Sequence, residues 1–231
     1  MDYRVDPAAA ARFLPPGLSL GPDAGAAAAV FVEWQWCSAG GDELADPVRC
    51  QFAEFLILLA GVQGGRPVAR CPYAWVDRAV PLVRGWVQGM PKQFGAIRLT
   101  RPIRAGRAGP RIQAGGSFAA SLAAHDRRLA SASVTLEAPA DEPPLLNRLP
   151  LVHSRRFPAW VPGDQPLDEL VASQVTDVEY SPVWTGTATL RFEPDLLGGW
   201  DRDLASLAPL GVGPGYVFSY GETLLGGIRL G

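Results

Sequence analysis

The stretch "PVRCQFAEFLILLAGVQGGRPVARCPYAWVD", residues 47–77, decides how the rest of the chain is read. Residues 51–62 are apolar on both alternating faces, with Val, Ile and Phe among them, which marks a long strand. Gly64-Gly65 then forms a tight turn, and residues 66–77 resume as a second strand, so the pair reads as an antiparallel hairpin. One residue breaks the pattern: Glu54 interrupts "QFAEFLILL". A carboxylate there sits at an exposed bend or points into a lined cavity. If buried it needs partners, and Arg49, Arg70, Arg84 and Arg156 are available. A structural ion pair and a working carboxylate fit the residue equally well at this level.

Outward from the hairpin, short strands and turns continue. "VDPAAAARFLPPG" offers Asp6 as an N-cap and Pro7 as the first residue of a short helix. "AAAAVFVEWQWCS" reads as a strand, and "RAVPLVRGWVQG" as a short helix or an irregular approach to Lys92. Residues 95–139 alternate with glycine breaks and make two or three strands. Residues 138–166 carry many prolines and read as a long irregular connection. "LDELVASQVTDVEYSPVWTGTATLRFEP" resumes strand character, "DRDLASLAP" is a short helix, and "GYVFSYGETLLGGIRL" a last strand. The expectation is one domain over residues 1–231, α+β but mostly β: an antiparallel, barrel-like sheet with short peripheral helices.

Composition narrows the function. A net charge of −2 argues against a nucleic-acid groove. No basic-then-apolar leader opens the sequence and no apolar run is long enough for a membrane span, so a cytoplasmic protein without a membrane partner is expected. Three cysteines lack metal spacing and two histidines lie far apart, so neither a metal nor a cofactor is expected.

Lys92, in "RGWVQGMPKQFG" (84–95), is the only lysine among twenty-one cationic side chains. A GC-biased sequence replaces a merely positive lysine by arginine, but guanidinium stays protonated where an amine can act as a nucleophile. The surroundings suit an amine taken out of water: Pro91 fixes the backbone, glycines 85, 89 and 95 allow close approach, and Trp86, Met90 and Phe94 supply apolar walls. An amine so placed can form a Schiff base with a ketone, the iminium then serving as an electron sink. Gln88 lies four residues earlier and shares a face with Lys92 if the segment is helical. Tyr216 and Tyr220 alternate onto one face of the last strand, where a phenol can donate a proton or simply pack.

"VDPAAAARFLPPGL", "QFAEF", "RGWVQGMPKQFG", "VWTGTATLRF" and "LASLAP", in that order, resemble the acetoacetate decarboxylase family over nearly the whole chain. The resemblance implies a β-barrel-like fold with Lys92 as the Schiff-base lysine and Glu54 as the active-site glutamate. Two features depart from the decarboxylases. Their second, adjacent lysine is Gln93 here, and the arginine near their N-terminus falls in a region before Met1. A divergent branch of aldolase–dehydratases or cyclases, acting on pyruvate-like 2-oxo acids, is more similar. It implies Gln88 as a catalytic partner and a last-strand tyrosine, best matched by Tyr220 with Tyr216 as the rival. The expected function is a Schiff-base lyase for a 2-oxo or β-keto acid, with Lys92, Glu54, Tyr220 and Gln88 catalytic. Arg49, Arg156, Trp86 and Met90 bind the substrate, and the subunits form a homo-oligomer. β-Keto acid decarboxylation and a non-catalytic small-molecule binding protein on the same fold are the alternatives.

Overall fold

The computed structural model describes residues 1–193 and 202–230. Strands β3 (Gln51–Gln63) and β4 (Arg66–Val76) form the expected hairpin, paired from Gln63↔Arg66 to Glu54↔Val76 with one register shift between Ile57 and Leu59. Gly64 and Gly65 turn it with φ of 55° and 81°. Two successive left-handed residues match the strand twist, and glycine adopts them without steric cost.

The hairpin lies at the centre of the larger of two sheets. Its other members are β1 (Asp2–Arg4), β2 (Ala26–Gln35), β5 (Lys92–Phe94), β9 (Leu151–Phe157), β10 (Leu167–Tyr180), β12 (Gly211–Val212) and β14 (Tyr220–Leu230). The strand order is β12-β1-β2-β3-β4-β9-β10-β14, with β5 paired alongside β4. The second sheet takes β6 (Ala96–Leu99), β7 (Ser117–Ala124), β8 (Arg127–Ala140), β11 (Val183–Phe192) and β13 (Gly215–Val217), in the order β13-β11-β8-β7-β6. The 95–139 region thus makes three strands. Short helices decorate the sheets: α1 (Pro7–Ala11), α2 (Pro47–Cys50), α3 (Ala79–Gln88) and α4 (Arg202–Ala205). Asp6 caps α1, its Oδ1 accepting from the amides of Ala8 at 2.7 Å and Ala9 at 3.1 Å.

β3 is apolar on both faces because it is covered twice. Phe55, Ile57 and Leu59 pack with Ile97, Leu122, Leu129 and Leu190 between the sheets. Phe52, Leu56 and Leu58 face the other way, into smaller clusters with Leu82 of α3, Met90 and Leu146. On that second side the large sheet curls over itself. Trp34 of β2 meets Tyr220 of β14, ring centroids 5.9 Å apart, although four strands separate β2 from β14 along the sheet.

The curl is not a barrel, and the expected barrel-like closure is corrected accordingly. β14 pairs only with β10, and no ladder joins it to β2 or to the other end strand, β12, so the seam is made by side chains. Closure needs a ladder between the two end strands. The pairing is also mixed, since β5 and β9 run parallel to β4. A second correction falls in the proline-rich segment, which contains β9. Its prolines flank "LVHSRRF" without entering it, so the strand keeps its donors and pairs with β10 from Val152↔Ala172 to Phe157↔Leu167. Among the described residues no helix is long and apolar enough to cross a membrane.

In the second sheet, the glycine of "VWTGTATL" has a steric reason. At Gly186, beside a register shift in the β8–β11 ladder, a Cβ would lie 1.9 Å from the Thr135 carbonyl oxygen. Gly186→Ala is expected to destabilise the protein by about 2–3 kcal/mol, the upper part of the overpacking range, read as a lower denaturant midpoint.

Candidate active site

The site is built where α3 hands over to β5. Gly89 ends the helix at φ 88°, and the amides of Gly89 and Met90 turn back onto the helix carbonyls. Pro91 follows and cannot continue a helix. Lys92 then enters the sheet beside Ala74 of β4, and Trp86 clamps it by donating Nε1–H to the Lys92 carbonyl oxygen at 2.9 Å. The lysine side chain crosses α3 at Gly85, where a Cβ would fall 2.3 Å from Lys92 Cδ and 2.6 Å from Cγ. Gly85 is therefore a notch cut for this side chain.

Lys92 Nζ ends 2.8 Å from Glu54 Oε1, with both side chains only 3–4% exposed. The other carboxylate oxygen accepts from Trp34 Nε1 at 2.8 Å. Nζ also lies 5.8 Å from the centre of the Phe52 ring, within cation–π range. Arg84 approaches the same ring, its Cζ 5.7 Å from the centroid, and lies 5.9 Å from Trp36. Its Nε is buried without a hydrogen-bond partner. Tyr220 packs on Trp34 and donates its hydroxyl proton to Glu222. Partial desolvation raises the Glu222 carboxyl above the usual carboxylate range, the Arg84 guanidinium opposing it.

Glu54, Lys92 and Tyr220 are thus linked through Trp34. Gln88, half-buried, is the last residue of α3; the helix stops there, so the four-residue spacing to Lys92 is not a helical one. It lines an adjacent cavity. Met90 is buried against Cys71, Ala74 and Leu56. Trp86 and Phe94 are largely exposed. Arg49 is exposed, contributing its carbonyl to Trp36, and Arg156 pairs with Asp168 at the surface. Neither arginine joins the lysine. Tyr216, on β13 of the other sheet, feels Asp2 and Thr185. Gln93 pairs with Trp75, and strand alternation sends its side chain to the opposite face from Lys92.

Trp34, Arg84, Glu222 and His153 complete the surroundings. Arg84 had one legible signal, since it precedes Gln88 by four residues on α3 and so shares a helix face with it. His153 is 1% exposed, and burial together with the cations Arg70 and Lys92 pushes its imidazole down to about 3. Cys71, fully buried, is pushed up to about 12, mainly by desolvation and then by Glu54.

The notch and the buried imidazole each set a measurable expectation. In Gly85→Ala, alanine's helix preference of up to about 1 kcal/mol offsets part of an overpacking cost of about 1–3 kcal/mol. The thermal midpoint should therefore move little while Lys92 loses its path and its reactivity falls at least tenfold, measured by amine labelling. For His153 the native state holds the neutral ring and the unfolded state titrates near 6.5. The unfolded chain then binds the extra proton, so stability falls as pH drops below about 6.5 and levels off near 3. His153→Gln should remove about 2 kcal/mol of the stability difference between pH 7 and pH 5, measured by urea unfolding at both values.

The family model described as acetoacetate decarboxylase (ADC) matches residues 1–230. No curated protein matches the chain. Among solved structures, the enduracididine biosynthesis enzyme MppR, complexed with the condensation product of pyruvate and imidazole 4-carboxaldehyde, is 60% identical with a TM-score of 0.93, covering 99% of this chain and 84% of that one. The same enzyme complexed with pyruvate is 59% identical at a TM-score of 0.92, covering 99% and 85%. An acetoacetate decarboxylase-like enzyme from Sphingomonas wittichii RW1 is 27% identical at 0.87, covering 99% and 88%. The chain belongs to the acetoacetate decarboxylase family.

Proposed function

We propose that this chain is a Schiff-base aldolase–dehydratase, joining a pyruvate-like 2-oxo acid to an aldehyde and removing water. The observation that carries the reading is the only lysine of the sequence, buried 2.8 Å from a carboxylate on a face of β3 that is otherwise apolar. Such a pair suits carbinolamine chemistry. The amine of Lys92 adds to the ketone carbon, Glu54 takes and returns protons, and water leaves to give the iminium. Loss of a proton from the adjacent carbon gives an enamine, which attacks the aldehyde carbon. A second proton leaves the same α carbon as the new hydroxyl, protonated by the Tyr220–Glu222 pair, departs as water and the C=C bond forms; partial burial raises the Glu222 carboxyl from its ordinary value. Hydrolysis of the iminium frees the product and the lysine. The iminium is the electron sink, so the scheme calls on no cofactor.

Arg84 is the cation placed to hold the substrate carboxylate, a role first expected of Arg49 or Arg156. Gln88 orients the bound acid, and Met90 forms an apolar wall. The complexes of MppR with pyruvate and with its imidazole-aldehyde product support the substrate class. Free Cys37, Cys50 and Cys71 agree with a reducing cytoplasm. A homo-oligomer completes the proposal, and light scattering reads it. The family description favours β-keto acid decarboxylation as the second reading, the same iminium receiving the electrons released with CO₂.

Incubation with pyruvate and borohydride should leave a reduced adduct on the Lys92 peptide, and Lys92→Arg should abolish it. Absence of any keto-acid adduct in the wild type would sink both enzymatic readings and leave a binding protein. Glu54→Gln should slow adduct formation by about 10²–10⁴-fold, the usual worth of a positioned proton carrier. Rapid CO₂ release from acetoacetate, without product from pyruvate plus imidazole 4-carboxaldehyde, would decide for decarboxylation.

A further inference from the structure

The indole of Trp34 touches both groups that move protons in the proposed reaction. On β2 it stands opposite Phe52 of β3, two residues before Glu54 and on the same face. Its Nε1–H reaches diagonally to Glu54 Oε2 at 2.8 Å. Its ring meets Tyr220 edge-on, with centroids 5.9 Å apart and planes at 69°. We infer that Trp34 is a positioning residue for both proton carriers: it reserves Glu54 Oε1 for proton transfer beside the lysine, and it fixes Tyr220 where loss of water needs an acid. The inference rests on the aldolase reading of Lys92.

The two oxygens of Glu54 are not equivalent. Oε2 accepts the indole N–H, and among the described residues this is the one hydrogen bond to the carboxylate. Oε1 is buried, accepts no hydrogen bond and meets Lys92 Nζ at 2.8 Å as an ion pair. An indole N–H donates and never accepts. It occupies Oε2 without exchanging a proton there, so a proton taken by Glu54 enters on Oε1, next to the amine. The last torsion of a glutamate is soft and close to two-fold. Without the N–H the carboxylate can turn, and Oε1 is no longer kept at the lysine.

The ring is itself held. Phe52 stacks on it, centroids 6.4 Å apart at 29°, and Tyr220 leans in turn on Tyr180 at 5.3 Å. Loss of water from the aldol adduct removes a proton from the α carbon and delivers one to the neighbouring hydroxyl. Base and acid must therefore serve adjacent carbons of one substrate. Trp34 contacts both, and a misplacement of 1 Å can cost about 10²-fold in rate.

Two variants divide the roles. Trp34→Phe keeps a ring between Phe52 and Tyr220 and removes the N–H, whereas Trp34→Leu removes both. Exchange of the pyruvate methyl protons for deuterium, followed by NMR, reads proton removal at the α carbon. It should slow at least tenfold in both variants. The pyruvate concentration that half-saturates borohydride trapping at Lys92 should change less than threefold. Glu54→Asp draws the carboxylate back from the indole, so adding Trp34→Phe to it should slow exchange less than threefold further. With pyruvate and imidazole 4-carboxaldehyde, the ratio of dehydrated product to hydroxy adduct should fall in Trp34→Phe and at least tenfold further in Trp34→Leu. Equal losses of exchange with Glu54 and with Asp at position 54, or a loss confined to pyruvate affinity, would reduce Trp34 to a packing residue. A product ratio in Trp34→Leu equal to that of Trp34→Phe would overturn the hold on Tyr220. A wild type that exchanges pyruvate protons and consumes no aldehyde would overturn the aldolase reading, while the exchange rates still decide the part of Trp34 at Glu54.

Discussion

The contact between Lys92 and Glu54 is the constraint to which the rest of the molecule is fitted. Removing an ammonium and a carboxylate from water costs several kcal/mol for each ion, and only close geometry with further hydrogen bonds offsets it. The site supplies both. The two charged atoms are 2.8 Å apart, Trp34 satisfies the other carboxylate oxygen, and the Phe52 ring faces the ammonium. Each device has a structural consequence. The lysine reaches its partner because α3 has a glycine at the crossing, and α3 together with the curl that brings β14 to Trp34 of β2 covers the pair. A buried ion pair contributes little to stability that an apolar pair would not. Its place on an otherwise apolar face of β3 points to chemistry.

How much was legible in the sequence depends on how local each signal is. The hairpin could be read because alternation, length and a Gly-Gly turn lie within thirty consecutive residues. Lys92 could be read because composition isolated it, and Glu54 because it broke a pattern. β9 could not: its pairing with β4 is parallel and spans eighty residues, so nothing near "LVHSRRF" announces it beyond flanking prolines. The curl was equally hidden, since a side-chain seam between β2 and β14 leaves no trace in either strand's own pattern. The arginines show the limit most clearly. Twenty of them are chemically identical in the sequence, and only the packing of α3 against β3 separates Arg84, over the Phe52 ring, from Arg49 and Arg156 at the surface. Tyr216 and Tyr220 likewise sit two alternations apart yet belong to different sheets.

Gln93, which replaces the second lysine of the decarboxylases, takes on a different meaning in three dimensions. β5 is a strand, so residues 92 and 93 must face opposite sides of the sheet. A cation at 93 would act on Lys92 through the strand, from the sandwich side, not from inside the curl. Neutrality at 93 therefore leaves the interior's own positive charge in place. That charge is Arg84, whose guanidinium and the Lys92 ammonium approach the same aromatic ring. A guanidinium, unlike an amine, is a fixed cation. It stays a cation whether or not Lys92 is carrying substrate, and its unpartnered Nε–H can serve a carboxylate. A fixed cation inside the curl is thus compatible with a substrate that keeps its carboxylate through the reaction, which an aldol condensation requires and a decarboxylation does not.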